Sequence, residues 1–263
     1  MIKVLVTGGT GYIGRAIAKR FLDSGCFVII HGSSQSSIDE SRNFFSQYQN
    51  NIDYFPFNCK EISDSYQMPD KFRQVDILVN AVGGGGAHLT WDKTTLEKWE
   101  FVYRLNVLMP VFFIKNILPY MKLKKQGRVI NIASVSAVKT LEIGPEYSSA
   151  KAGVVCLTES LARECKSSGV TVNAISPGLV LTEVVKDFIC DRYGLDKNSS
   201  DNEISQVASS EFFPNLVGSV PFPGEIAEAV YFLCSKNASK IMGQNIVIDS
   251  GYTLSDYVNS SVE

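Results

Sequence analysis

The chain has 263 residues, 45% hydrophobic, 20% charged and 11% aromatic, which is the mixture of a globular protein of one domain or at most two. Disorder, collagen and coiled coil are excluded by these proportions. Twenty-five Lys plus Arg stand against 27 Asp plus Glu, a formal charge of −2. No electrostatic surplus therefore exists to drive sequence-independent binding to nucleic acid or anionic lipid.

Short runs rich in β-branched residues predict seven strands, at residues 2–7, 26–30, 52–57, 75–80, 128–132, 170–175 and 241–248. Several are continuous apolar runs, as expected of a parallel sheet covered on both faces. Helical periodicity lies between them, at 14–23, 37–49, 96–124, 147–166 and 225–233. Every connection can be a right-handed crossover, so the expected fold class is α/β, doubly wound. No repeat or linker divides the chain, and residues 1–263 read as a single domain. Its most apolar stretch, 101–123, is interrupted by Arg104, Asn106, Pro110, Lys115 and Pro119. A membrane span needs roughly 20 predominantly apolar residues, so a buried, kinked helix is expected there instead. No basic region or small-residue cleavage site precedes the first glycines, and a cytoplasmic location is the expectation. The six cysteines form no C-x-x-C pair and read as reduced packing residues, with no metal site. Residues 183–223 break the βα rhythm and are expected to form a long loop serving as a substrate lid.

Directly after the first strand comes Thr7-Gly8-Gly9-Thr10-Gly11-Tyr12-Ile13-Gly14, followed by an amphipathic helix. Glycines there permit positive φ and let backbone N–H groups approach a pyrophosphate, while the helix N-terminus supplies partial positive charge. The order strand, glycine turn, helix makes a dinucleotide the expected ligand. The second strand runs into His31-Gly32-Ser33-Ser34-Gln35-Ser36-Ser37, with no carboxylate until Asp39. Nothing there would repel a 2′-phosphate, and the hydroxyls of Ser33, Ser34 and their neighbours could bind one. NADP(H) is therefore favoured over NAD(H), although no Arg or Lys marks the loop. His31 reads equally as a strand-end residue.

Tyr147-Ser-Ser-Ala-Lys151 lies in a helical stretch, which puts Tyr147 and Lys151 on one face. A free tyrosine hydroxyl, with a pKa near 10, is a poor proton carrier at neutral pH, and a nearby ammonium should pull that value down. Residues 127–134 end another strand with a hydroxyl, Ser134, at the edge where ligands of such sheets bind.

With these residues the chain resembles the short-chain dehydrogenase/reductase family. The motifs are Thr7 to Gly14, Asn80-Ala-Val-Gly83, Asn106, Ser134, Tyr147-x-x-x-Lys151 and Pro177-Gly-Leu-Val-Leu-Thr182, in the family's order and approximate spacing. It is most similar to the 3-oxoacyl-ACP reductase-like members, through Gly127-Arg-Val-Ile-Asn-Ile, Tyr147-Ser-Ser-Ala-Lys-Ala-Gly153 and Gly169-Val-Thr-Val-Asn-Ala-Ile-Ser-Pro-Gly178. The resemblance implies a Rossmann-like three-layer sandwich and a ketoreductase acting on a small carbonyl or alcohol; the length of the 183–223 segment and its apolar residues favour acyl thioesters or similar medium-sized substrates. It implies that Tyr147 exchanges a proton with the substrate oxygen, that Ser134 holds that oxygen, and that Lys151 lowers the tyrosine pKa and binds the nicotinamide ribose. Asn106 would support a proton-carrying water. Asn80, Ala81 and Gly83 would line the adenine-ribose side, Asn58 and Cys59 the adenine, and Pro177, Gly178, Val180 and Thr182 the nicotinamide end. By the same analogy the chain forms homodimers or homotetramers.

Structural readings stand beside these. Asn106 could bridge backbone within its helix, and Thr182 could cap the helix after it. Ser136 should face away or sit in the loop; His88 and Trp91 should cover the rim; Glu142 and Glu146 should form a solvated loop face. Tyr12 stands where most compact members carry glycine, Asn58 replaces an aspartate, Cys59 an aliphatic residue, and Ser250 interrupts the usual Asp-Gly-Gly. Two rival functions remain: an NAD-linked alcohol, polyol or sugar dehydrogenase, and a dinucleotide-sensing protein without chemistry.

Overall fold

The computed structural model describes residues 1–86, 89–140 and 144–257. Seven strands form one sheet: β1 (Lys3–Thr7), β2 (Phe27–Gly32), β3 (Ile52–Pro56), β4 (Ile77–Asn80), β5 (Gly127–Ile132), β6 (Val170–Pro177) and β7 (Asn245–Ile248). Their order is β3-β2-β1-β4-β5-β6-β7 and every pair is parallel. The order reverses between β1 and β4, which opens a crevice at the carboxyl ends of those strands.

The helices are α1 (Tyr12–Asp23), α2 (Gln35–Phe44), the single turn α3 (Asp70–Arg73), α4 (Leu96–Tyr103), α5 (Met109–Lys124), α6 (Pro145–Glu164), α7 (Glu183–Tyr193), α8 (Asp201–Val207) and α9 (Pro223–Cys234). They cover both faces of the sheet, making the expected Rossmann-like sandwich. Val4, Val6, Val28 and Ile30 point to one face, against Ile17 and Phe21 of α1 and Ile226 and Val230 of α9. Leu5, Ile29, Leu78 and Val129 point to the other, against Phe113, Ile117 and Met121 of α5 and Leu161 of α6. Because both faces are apolar, each strand reads as an uninterrupted hydrophobic run.

The helical stretch Leu96–Lys124 is long and apolar enough to cross a membrane by length and composition, with half of its most apolar window buried. Its apolar side packs on the sheet, so it is a core helix. The expected kink is a π turn, Arg104–Leu108, rather than a break at Pro119.

Three expectations need correction. The segment after β6 is not a loop: α7, α8 and a second π turn, Ala208–Phe212, pack around their own small core of Leu181, Ile189, Ile204, Ala208, Phe213 and Val220. The polar run 196–202 hid these short helices. The seventh strand starts at Asn245, four residues late, because Ile241 and Gly243 form a turn in which Gly243 takes φ +69. The second helix ends at Phe44 and continues as the 3-10 turn Ser46–Tyr48.

His31 is buried, and its Nδ1 accepts the Gly8 N–H at 3.1 Å. That fixes the proton on Nε2, which donates to the Phe57 carbonyl at 2.8 Å. The imidazole thus ties the glycine turn after β1 to the end of β3. Burial lowers its pKa from 6.5 to about 4. Between those values the unfolded chain binds the proton and the folded chain does not, so stability should fall as pH drops from 6.5 to 4. The loss should reach about 3 kcal/mol relative to His31→Gln, measured by urea unfolding.

Ser250 adopts φ +56, the left-handed region, at the position where the family usually has glycine. Its carbonyl accepts the N–H groups of Leu216 and Val217, anchoring the chain between α8 and α9. Ser250→Gly should raise stability by up to about 1 kcal/mol, seen as a higher urea midpoint, since serine is strained there and glycine is not.

Candidate active site

Helix α6 begins where the sequence forces it to: Gly144 takes a left-handed conformation at the N-cap and Pro145 supplies the first helical residue. Tyr147 and Lys151 then stand one turn apart on the face turned to the carboxyl end of β5. The Lys151 amine is buried and donates to the Ile132 carbonyl at 2.9 Å, 5.6 Å from the centroid of the Tyr147 ring. Burial lowers its pKa to about 8. Burial also raises the pKa of Tyr147, with a hydrogen bond from Ser134 acting the other way. Burial, and not the expected downward pull of the lysine, is thus the dominant effect on the phenol, because the amine is committed to a backbone carbonyl and desolvated.

Ser134 caps the 3-10 turn Val135–Ala137, which follows β5. Its Oγ accepts both the N–H of Ser136, at 3.2 Å, and the Ser136 hydroxyl, at 2.9 Å. A hydroxyl has two lone pairs and one proton, so with both lone pairs filled the Ser134 proton is left to donate. Ser136 does not face away, as expected from sequence; it lines the recess and aims Ser134.

Asn106 is buried in the π turn between α4 and α5, the kind of turn frequent at functional sites. Its Oδ1 accepts the Gly84 N–H at 3.1 Å and its Nδ2 donates to the carbonyls of Gly84 and Val102, each at 2.9 Å. It therefore clamps the glycine run after β4 and retains one lone pair. That run sits under the reacting side chains. A Cβ on Gly83 would lie 2.8 Å from the Lys151 amine and 3.0 Å from Asn106 Oδ1, and one on Gly86 2.9 Å from the Tyr147 Cβ. Gly83 accordingly lies beside Lys151.

The other expected residues divide. Around β1, Gly8 takes φ +65 and Gly14 is pressed against the Gly8 carbonyl, where a Cβ would lie at 2.1 Å. Gly11 is the N-cap of α1 and offers no side chain, so the first-turn N–H groups at Tyr12, Ile13 and Gly14 have no cap. Thr10 packs on Gly32, and Tyr12 is exposed. Ile13, Ala81, Gly83, Pro177 and Gly178 meet Ser134, Tyr147 and Lys151 around a cavity of about 230 Å³. These residues fit a nicotinamide dinucleotide: backbone donors at a helix start for the pyrophosphate, and a glycine-walled slot leading to the tyrosine.

Elsewhere the side chains are otherwise engaged. Ser34 and Ser37 form the capping box of α2, leaving Ser33 and Ser36 as the free hydroxyls of that loop. Asn58 caps the 3-10 turn Cys59–Glu61 and donates to the Ser33 carbonyl at 3.2 Å. Cys59 belongs to the core, as does Val180. Asn80 is buried and donates to Asn131 at 2.8 Å, which in turn donates to Thr158, while the Asn80 Oδ1 has no hydrogen-bond partner among the described residues. Thr182 caps α7. Glu146 is fully buried and its carboxylate has no hydrogen-bond partner, contrary to the expected solvated face. Trp91 is exposed, while His88 and Glu142 lie outside the described residues. Sequence reasoning missed Tyr252, whose ring lines the recess beside Phe213; nothing in the C-terminal residues signals it.

A doubly wound sheet with a glycine turn at its switch point and a Tyr-Lys helix beside a strand-end serine defines a nicotinamide-linked oxidoreductase. Residues 3–192 match the short chain dehydrogenase family, and the chain belongs to it as an NAD(P)-dependent enzyme. It is 31% identical over 252 residues to the 3-oxoacyl-[acyl-carrier-protein] reductase FabG of Vibrio cholerae, covering 94% of this chain and 95% of that protein. It is 26% identical over 257 residues to a 7alpha-hydroxysteroid dehydrogenase of Bacteroides fragilis, covering 95% and 94%. Among solved structures, ElxO with NADP bound superposes with a TM-score of 0.82 at 25% identity, covering 96% of this chain and 98% of that one.

If Ser136 orients the Ser134 proton, Ser136→Ala should lower kcat about 3- to 10-fold, the worth of one hydrogen bond, with KM changed less than about twofold. Steady-state kinetics of carbonyl reduction checks it.

Proposed function

We propose that the protein reversibly reduces a ketone to a secondary alcohol with NADP(H). The observation that carries this reading is the convergence of the Ser134 hydroxyl, the Tyr147 phenol and the Lys151 amine on one cavity that also touches Ile13 of the glycine turn. A bound reduced nicotinamide supplies the hydride. The carbonyl carbon gains that hydride, the π pair moves to oxygen, and Tyr147 gives the oxygen its proton while the Ser134 O–H holds the same atom. Lys151, half charged at about pH 8, stabilises the phenolate left behind and can return its proton. The Ile132 carbonyl and Asn106, through Gly84, keep that amine in place.

NADP(H) is supported by the absence of any carboxylate between β2 and Asp39 and by the free hydroxyls of Ser33 and Ser36. The loss of Ser34 and Ser37 to the capping box reduces the donors for a 2′-phosphate, which keeps NAD(H) as the rival cofactor. An acyl thioester is the carbonyl class we favour, on the apolar recess beside Tyr147 and the likeness to 3-oxoacyl reductases.

In an absorbance assay with acetoacetyl N-acetylcysteamine, kcat/KM should be about tenfold or more higher with NADPH than with NADH. Ser33→Asp should reverse that preference, by placing a carboxylate where the 2′-phosphate would lie. Tyr147→Phe should lower kcat by about 100-fold or more without abolishing cofactor binding, the usual worth of a general acid. Full activity in that variant ends the mechanism. The wild-type reductive rate should fall as pH rises through about 8, because Lys151 then loses its proton.

A further inference from the structure

Two cavities bear on what the protein binds. The larger, about 1050 Å³, opens around the starts of β6 and β7, at the opposite edge of the sheet from Tyr147. The other, about 530 Å³, adjoins the catalytic hydroxyls and has a mixed lining. Part of it is bare backbone, Gly84, Gly85 and Gly86. The lining also carries three aromatic rings: Phe212 at the end of the π turn after α8, Phe213 directly after it, and Tyr252 from the C-terminal segment.

The aromatic wall is braced from behind. Phe213 stacks on Tyr252 with ring centroids 3.7 Å apart and planes 16° from parallel. The Lys139 amine lies 4.4 Å from the centroid of the Tyr252 ring, and with Phe213 covering one face it must take the other. That amine also donates to the Tyr252 carbonyl at 3.4 Å. Phe212 leans edge-on against Phe188 of α7, at 5.1 Å. Gly178 lets Phe213 come close, since a Cβ there would lie 3.1 Å from its ring. Among the described residues no charged side chain lines this recess; its polar groups are Ser134, Tyr147, Ser136 and Ser148. The first two are taken up by the reacting oxygen.

We infer that the substrate carries an uncharged, flat apolar ring on the reacting carbonyl carbon, seated between the glycine floor of Gly84–86 and the rings of Phe212, Phe213 and Tyr252. This rests on the ketoreductase reading and narrows it. A side-chain-free floor leaves a slot for a planar group, and aromatic walls favour ring-on-ring contact beyond simple burial. Among the described residues, a buried carboxylate or phosphate at the same place would meet hydroxyls but no cation in the lining, and would lose its hydration uncompensated.

The test compares 3-oxo-3-phenylpropanoyl with acetoacetyl N-acetylcysteamine, with NADPH, in wild type, Phe213→Ala and Phe212→Ala. The wild type should prefer the phenyl substrate by about 10- to 100-fold in kcat/KM, the discrimination a ring-sized apolar contact gives. Phe213→Ala should cut that ratio about tenfold and Phe212→Ala about threefold. Phe212 is 41% exposed, so its variant keeps the test valid even if Phe213→Ala fails to fold. A 4-carboxyphenyl analogue should be about 100-fold poorer than the phenyl substrate. A wild-type ratio below about tenfold, a ratio both variants leave unaltered, or full turnover of the carboxylated analogue overturns the inference, while acetoacetyl reduction leaves the ketoreductase reading standing. If neither thioester is turned over although NADPH binds, the ketoreductase reading itself falls and takes the inference with it.

Discussion

An ammonium that cannot reach water must be held by something, and in this chain the Lys151 amine is held by the Ile132 carbonyl at the end of β5. That bond ties α6 to the end of β5 near Tyr147, which lies one helical turn earlier. The cost of burying the amine appears as its lowered pKa, near 8, which makes the same group an exchangeable proton at neutral pH. Structure and chemistry share one desolvation.

Close approach of backbone is the second constraint, and it explains glycine at both loops of the crevice. Gly14 lies against the Gly8 carbonyl, so α1 can start directly beneath the first turn and point its free N–H groups into the crevice. Gly83 and Gly86 lie against Lys151 and Tyr147. Asn106 holds this second run through Gly84, using a π turn that an uninterrupted α-helix would not present. His31 holds the first run through Gly8. Two buried, neutral side chains thus each fix one glycine loop, and the slot between the loops is what a dinucleotide needs.

The polar residues of the crevice divide between binding and support in a way their spacing does not show. Ser34, Asn58 and Thr182 stand where the sequence leads one to expect cofactor contacts, yet each satisfies the start of a helix or turn. Asn80 joins Asn131 and Thr158 in a buried chain across the sheet. The three caps stabilise the frame by meeting backbone donors that would otherwise be unpaired. Ser136 shows the reverse: it reads as a bystander and proves to be what aims Ser134.

The sequence by itself determined the seven strands, the glycine turn and the pairing of Tyr147 with Lys151, because all three are written in short-range patterns of the chain. Val4 to Val6 must be buried on both faces, and residues four apart on a helix must share one. What only the tertiary structure decided is everything that depends on residues far apart in the chain. The segment after β6 is helical because Ile189, Ile204 and Phe213 find one another, the recess has aromatic rings because Tyr252 returns from the C-terminal segment to Phe213, and Glu146 is buried though its neighbours read as a loop. Those outcomes follow from which surfaces meet after collapse, and no local pattern encodes a meeting between segments tens of residues apart.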